Sequence, residues 1–334
     1  MSADASDRAR SSRPAGLLAT APPSVAVEIA PSHVTVVALD GSGRDVVISG
    51  YAVEPLPAGV VTPALNAANV QDGAALASTI KSALHKVAGR TRRVGLVMPD
   101  TTAKVSLIRF EKIPAKYQDL DQLIRWQVRK TAPFRIEDAQ VSWIRGVDLD
   151  GGGREFIVAM ARRDVIESFE RACDEAGVHA GIVDTASFSL INAQLAAAGD
   201  AAGDWLLVHV ASDYVTLAVV RGPDLVFFRN RTIGAEADLA DMVHQTAMYH
   251  EDRLGGGGFA RVVLAGAALA GAEQAERLKR GIEERVSGRV ETLDVRGAAA
   301  MRDRIGASAS LLDTLAAPVG ILLRDRAAAK GRVA

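Results

Sequence analysis

One order of elements is written twice in this chain, over residues 24–98 and again over residues 205–286. The first copy begins with β-branched apolar runs over 25–30 and 34–39, separated by Pro31-Ser32-His33, and a third over 46–53 beyond Asp40-Gly41-Ser42-Gly43. Such runs, punctuated by Pro, Gly and Asp, predict three antiparallel strands joined by tight turns. Leu76, Ile80, Leu84 and Val87 recur at helical spacing and predict a helix over 72–87, and residues 93–98 predict a strand that Pro99 stops. The second copy predicts strands over 205–210, 215–220 and 225–229, a helix over 238–254, a strand over 261–265 and a helix over 272–286. No obvious sequence identity links the copies, so the duplication is one of architecture. Two α/β halves of this kind face each other across a cleft, and the cleft is the expected ligand site.

A stretch of different character separates the halves. It predicts a strand over 104–110 closed by Ile113-Pro114, then a helix over 118–130 with Leu120, Leu123, Ile124, Gln127 and Val128 on one face, ended by Pro133. A hairpin of strands over 139–147 and 155–161 follows, turning through Asp148-Leu149-Asp150-Gly151-Gly152-Gly153. A helix over 164–176 turns Val165, Ile166, Phe169, Ala172 and Cys173 inward, with Gly177 as its C-cap. A strand over 178–183 and a helix over 186–198 lead on, and a last helix with Pro318 inside is expected over 311–323. The division expected is a tail over 1–23, a first half over 24–100 and 181–202, an inserted α+β subdomain over 101–180, a second half over 203–325 and a basic tail over 326–334.

Composition excludes several classes of function. Lys plus Arg number 39 against 40 Asp plus Glu, a net charge of −1, which argues against a whole-chain nucleic-acid or polybasic membrane surface. Aromatics are 4%, poor material for stacking bases. Cys173, the single cysteine, has no internal disulfide partner and reads as a buried small residue. No apolar run approaches the ~20 residues that span a bilayer. The apolar stretch after Arg8, Arg10 and Arg13 is shorter than a signal core, so a cytoplasmic location is expected. Phosphate-loop, dinucleotide, zinc-protease and serine-elbow motifs are absent from the sequence. His244 and His250 read as solvated surface histidines, and the glycine runs 151–153 and 255–258 as plain flexible loops.

The segment Lys112-Ile113-Pro114, Leu123-Ile124-Arg125-Trp126-Gln127, Ala132-Pro133-Phe134 and Ile136-Glu137-Asp138, running on to Trp143, resembles the PilM family of type IV pilus assembly proteins. Val183-Asp184 with the helix after it, and Ala317-Pro318-Val319-Gly320-Ile321-Leu322-Leu323-Arg324, extend the resemblance over about residues 24–325. It implies an actin-like ATPase fold, related to FtsA, with the insert in place of a subdomain of actin.

Relatives with that fold hold ATP and Mg²⁺ between two β-turn phosphate loops and a glycine-rich adenosine loop. Glycines there let backbone N–H groups reach phosphate, and Asp residues organise the metal. In the first loop this chain has Glu28 for the Asp, Ala30 for the Gly, then Pro31, and Thr35 for the usual Lys; Ser32 and His33 remain to touch a phosphate. In the second it has His209 for the Asp and Ala211 for the Gly, with Ser212 beside it and Asp213 where a γ-phosphate would sit. The adenosine loop keeps Gly266 of its glycine run, and the connecting Gly-Gly is Gly234-Ala235. Hydrolysis is expected to be lost, while binding of ATP with Mg²⁺ stays open.

Members of the family bind the N-terminal cytoplasmic tail of the inner-membrane protein PilN beside the inserted subdomain. The resemblance therefore implies a cytoplasmic scaffold held at the inner membrane through a PilN-like partner, with pilus motor ATPases as a further class of partner. Gln122, Trp126, Arg129 and Lys130 are the partner-binding candidates; the competing reading, favoured for a large aromatic, packs Trp126 against a neighbouring sheet. The alternative functions are an active ATP-binding switch of this fold, an actin-like component of a type II secretion platform, and an FtsA-like division protein.

Overall fold

The computed structural model describes residues 23–41, 45–87, 91–198, 203–232, 239–286, 289–301 and 307–330. Gly234, Ala235, the tail over 1–23 except Pro23, and the end of the basic tail fall outside the described residues.

The first half opens with β1 (Val25–Ile29), β2 (His33–Asp40) and β3 (Val47–Pro55), an antiparallel meander. α1 (Gly73–Val87) buries Leu76, Ile80 and Leu84 on this sheet, and β4 (Arg93–Met98) then joins parallel to β1. The intervening segment runs β5 (Ala103–Phe110), α2 (Tyr117–Arg129), β6 (Ala139–Asp148), β7 (Arg154–Arg162), α3 (Arg163–Glu175), β8 (His179–Thr185) and α4 (Ala186–Ala198). The second half repeats the meander with β9 (Asp204–Val210), β10 (Tyr214–Arg221) and β11 (Asp224–Thr232). It continues with α5 (Leu239–Leu254), β12 (Arg261–Ala265), α6 (Ala272–Glu283), β13 (Val290–Thr292), β14 (Ala300–Met301) and α7 (Ala309–Lys330).

The sheets bear out the duplication. One has the order β14-β3-β2-β1-β4-β8 and the other β11-β10-β9-β12-β13, so each is a meander extended beyond its first strand by two parallel strands. α4 and α7 lie between them in one core with Val37 and Leu39 of the first sheet and Leu207 and Ala218 of the second. The two helices cross at Gly320, where a Cβ would stand 1.8 Å from the Ser189 carbonyl oxygen. α7 reaches Lys330, well past the expected end at 323, and passes through Pro318.

Two features depart from the expected division. β14 follows the second sheet in sequence yet pairs in parallel with Val47 and Ile48 of β3, closing the edge of the first sheet. α3 lies within residues 101–180, but its Val165, Phe169, Ala172 and Cys173 share a core with Leu76 and Ile80 of α1. Gly177 caps α3 at φ 91°, donating to the Asp174 carbonyl at 3.0 Å. Burial pushes the Cys173 thiol up to about 12.

The three-stranded sheet β5-β7-β6 turns Phe156, Val158 and Met160 onto Leu120, Ile124 and Val128 of α2. Its other face, with Ile157, Val105 and Leu107, packs on the core between the main sheets.

His250 corrects an expectation: it is fully buried, not solvated. Its Nε2 lies 2.6 Å from Asp204, which also takes Arg221 at 2.7 Å, and its ring stacks on Phe259. The run 255–258 is correspondingly more than a loose loop, since a Cβ on Gly256 would fall 1.9 Å from the His250 ring. His244 is exposed, as expected.

Candidate functional site

Both meanders place their first hairpin at the same end of the molecule, and a cavity of about 300 Å³ opens between them. Glu28, Ala30, Ser32 and His33 line it from the β1–β2 hairpin, and His209, Ala211 and Ser212 from the β9–β10 hairpin. Gly266 lines it from the turn after β12, and Asp313 and Thr314 from the first turns of α7. The structure thus gathers most of the residues singled out in the sequence. Thr35 is buried behind the wall, its hydroxyl without a hydrogen-bond partner. Asp213, expected at a γ-phosphate position, stands outside the lining and takes the Ser212 hydroxyl at 3.4 Å.

Asp100, which sequence reasoning missed, is the centre of the site. It follows β4 and Pro99, it is buried, and its carboxylate is filled from both halves of the molecule. From its own half it accepts the Ser187 N–H at 2.9 Å and the Ser187 hydroxyl. From the opposite half it accepts the Thr216 hydroxyl at 2.6 Å and faces His209 Nδ1 at 3.3 Å. Its own N–H donates to the Tyr214 hydroxyl at 3.3 Å, and Asn230 holds Thr216 at 2.8 Å. Burial works against the Asp100 charge, but the hydrogen bonds and charge of His209 with those of Ser187 outweigh it and hold the carboxyl below its ordinary value. Ser187 and Asp100 both engage the same Nδ1 of His209, so this trio is not a nucleophile–base–acid relay.

Asp313 was also missed. Its oxygens accept the N–H of Gly266 at 2.8 Å and of Ala268 at 3.0 Å. Burial raises its pKa, and those two N–H groups oppose the rise. The available signal was a lone acid in the apolar run 311–323. Gly266 itself adopts φ 80°, and a Cβ there would meet the Val210 carbonyl oxygen at 2.1 Å, so only glycine lets this turn close on the second hairpin.

Glu28 is pushed up to about 8 by burial first, then by Asp100 and Asp313. Burial lowers the pKa of His33. Among the described residues no Lys or Arg lines the cavity, Pro31 has no N–H, and the donors of Gly266 and Ala268 are taken by Asp313. This set does not fit a magnesium-bound triphosphate: it supplies acids where the ligand is anionic, and Glu28 is largely protonated at neutral pH.

The partner candidates lie elsewhere, on the outward face of α2, opposite its buried Leu120, Ile124 and Val128. Trp126 is 56% exposed, which overturns the expectation that it packs inside. Lys130 Nζ sits 4.2 Å over its ring, and Gln122 and Arg129 are exposed beside it. The tryptophan that packs in this subdomain is instead the half-buried Trp143, which lies against the buried Phe156, donates to Asp121 at 2.9 Å and stacks on Tyr117.

Residues 26–253 match the family described as type IV pilus assembly protein PilM. No curated protein sequence matches the chain. Among solved structures, a PilM–PilN type IV pilus biogenesis complex superposes with a TM-score of 0.75 at 19% identity, covering 90% of this chain and 98% of that one. A Bacteroides thetaiotaomicron protein of actin-like ATPase fold gives 0.46 at 10% identity, over 80% and 90% of the two chains. The cytoplasmic domain of EpsL, from the type II secretion system of Vibrio cholerae, gives 0.43 at 9% identity, over 72% and 80%. The duplicated sheets and the family match over more than half of the sequence lead to one assignment: the chain belongs to the PilM family of type IV pilus assembly proteins and has an actin-like fold.

Proposed function

We propose that this chain is a scaffold of the type IV pilus inner-membrane platform that binds the N-terminal tail of a PilN-like membrane protein and does not hydrolyse ATP. The observation that carries this reading is the Asp100 carboxylate, bonded to Ser187 on one side of the cleft and to Thr216 and His209 on the other. A bound nucleotide joins the halves of an actin-like ATPase by offering ligands to both. Here a buried side chain makes that connection, so closure needs no nucleotide. Within residues 101–180, α2 and its three-stranded sheet are the part we assign to partner recognition, with Gln122, Trp126, Arg129 and Lys130 as its outward contact face. Exposed Trp and Arg side chains are the types that dominate binding energy at interfaces. We place the chain in the cytoplasm, at the inner membrane through that partner, with pilus motor ATPases as further contacts.

The test is calorimetric titration with a peptide copying the N-terminal tail of the PilN-like protein, with and without Mg-ATP. The expected result is 1:1 peptide binding of equal affinity in both conditions, and no phosphate release. ATP turnover, or peptide binding that needs ATP, would overturn it. An ATP-binding switch is the second reading, favoured by Ser32, His33 and Ser212, which do line the cavity. Direct binding of Mg-ATP, lost in a Ser32→Ala/Ser212→Ala variant, would select it.

A further inference from the structure

The two acids facing Glu28 across the cleft are satisfied within the protein. Asp100 has its donors from Ser187, Thr216 and His209, and Asp313 has those of Gly266 and Ala268. Glu28, on β1 at the cavity wall, has neither a hydrogen bond nor an ion pair among the described residues. Ile29, Leu190, Leu269 and Ala317 give the cavity an apolar side, beside polar Ser32, Ser212, Tyr214 and Thr314. An unpaired carboxyl in such surroundings is costly, and the cost falls when a donor of positive charge enters.

We propose that the cleft binds a small organic cation, a primary amine or guanidinium on a short hydrocarbon body, with its N–H groups paired to Glu28. Three observations select this chemistry. Among the described residues, the charged groups acting on Glu28 from the elements around it are acids, Asp100 before β5 and Asp313 on α7. The other titratable groups of the lining are His33, His209 and Tyr214, and none of these is a fixed cation. The wall is suited to hydrocarbon, and among the described residues no group of three or more metal-ligating side chains could hold a metal ion. The volume of about 300 Å³ holds a molecule of several carbons. The inference goes beyond the scaffold function and does not depend on peptide binding.

The protonated Glu28 carboxyl gives its proton to solvent as the cation arrives, and the carboxylate pairs with the ammonium or guanidinium. Binding therefore releases close to one proton at neutral pH and strengthens as pH rises. With Glu28 titrating at about 8, affinity climbs about tenfold between pH 7 and pH 9.

Calorimetry on the full chain with agmatine and with cadaverine, at pH 7 and pH 9 and in two buffers of different ionisation heat, tests this. The expected result is saturable 1:1 binding with that pH dependence and proton release. Glu28→Gln, close in shape and uncharged, should weaken binding at least tenfold at pH 9 and abolish proton release, while its thermal unfolding reports that the fold is intact. No saturable heat from either probe to millimolar concentration overturns the proposal. So does Glu28→Gln binding as tightly as the native chain, or Mg²⁺ alone giving the response that the amines lack. Failure of the PilN-like peptide to bind would overturn the scaffold reading and leave this result untouched.

Discussion

Asp313 Oδ1 accepts the backbone N–H of Gly266 at 2.8 Å, so a side chain of the last helix occupies the turn that follows β12. Its second oxygen takes Ala268, and the pair of bonds fastens α7 to the second sheet. Asp313→Ala leaves two half-buried donors unpaired. We expect a loss of about 2 kcal/mol, or a Tm lower by roughly 3 °C, read by thermal unfolding. An unchanged Tm would show that the contact contributes nothing to stability.

Glu28 gives stability a pH dependence with a definite sign. Its folded pKa is raised to about 8 from an ordinary 4.5, so the folded state holds a proton that the unfolded state releases. Stability is present at pH 4.5 and falls as pH rises through 8, by at most about 5 kcal/mol. Asp184, pushed up to about 6 mainly by burial, adds to the decline in the lower part of that window. Asp100 acts oppositely at lower pH, because its depressed pKa adds stability that is lost as pH falls below the ordinary carboxylate range. Urea unfolding at pH 5, 7 and 9 should show the native chain weakening toward alkali and Glu28→Gln weakening less. Parallel curves would contradict the assignment.

The His250 clasp makes a prediction about coupling. A Cβ on Gly256 would overlap the His250 ring, so Gly256→Ala should cost about 1–3 kcal/mol by overpacking. His250→Ala removes the pairing with Asp204 and also removes the overlap. The double variant should therefore be more stable than the sum of the single effects implies, by at least 0.5 kcal/mol in a double-mutant cycle. Simple additivity would show that the loop moves aside without cost.

Trp126 separates stability from recognition. It is 56% exposed, so Trp126→Ala should change unfolding free energy by less than about 0.5 kcal/mol. Binding of the PilN-like tail should weaken about tenfold or more. A strongly destabilised variant would place the indole in an internal contact instead.

Local pattern carried much of the architecture. The helix over 186–198 and the strand over 93–98 were read at the bounds the structure shows, because each is a strong run between clear breakers. The short strands β13 and β14 were not legible, since three and two residues carry no periodicity. The hairpin residues of the cleft were reached through family resemblance. Asp100 and Asp313 were not, because their importance lies in partners distant in sequence, Thr216 for one and Gly266 for the other. Trp126 and His250 fail in opposite directions for a shared reason. Hydrophobic preference says what a side chain gains by burial, but only tertiary packing says whether a neighbour is there to bury it.

The edge strand β14 sets a condition on biosynthesis. β3 ends at Pro55, but the strand that covers its open edge is Ala300–Met301, and the helix that fills the space beneath comes later still. A ribosome thus exposes the first meander with an unpaired edge and half a core until nearly the whole chain has emerged. Nascent chains stalled before residue 300 should be open to proteases near Val47 and Ile48, and protection there should arrive late, once Ala300 and Met301 have emerged.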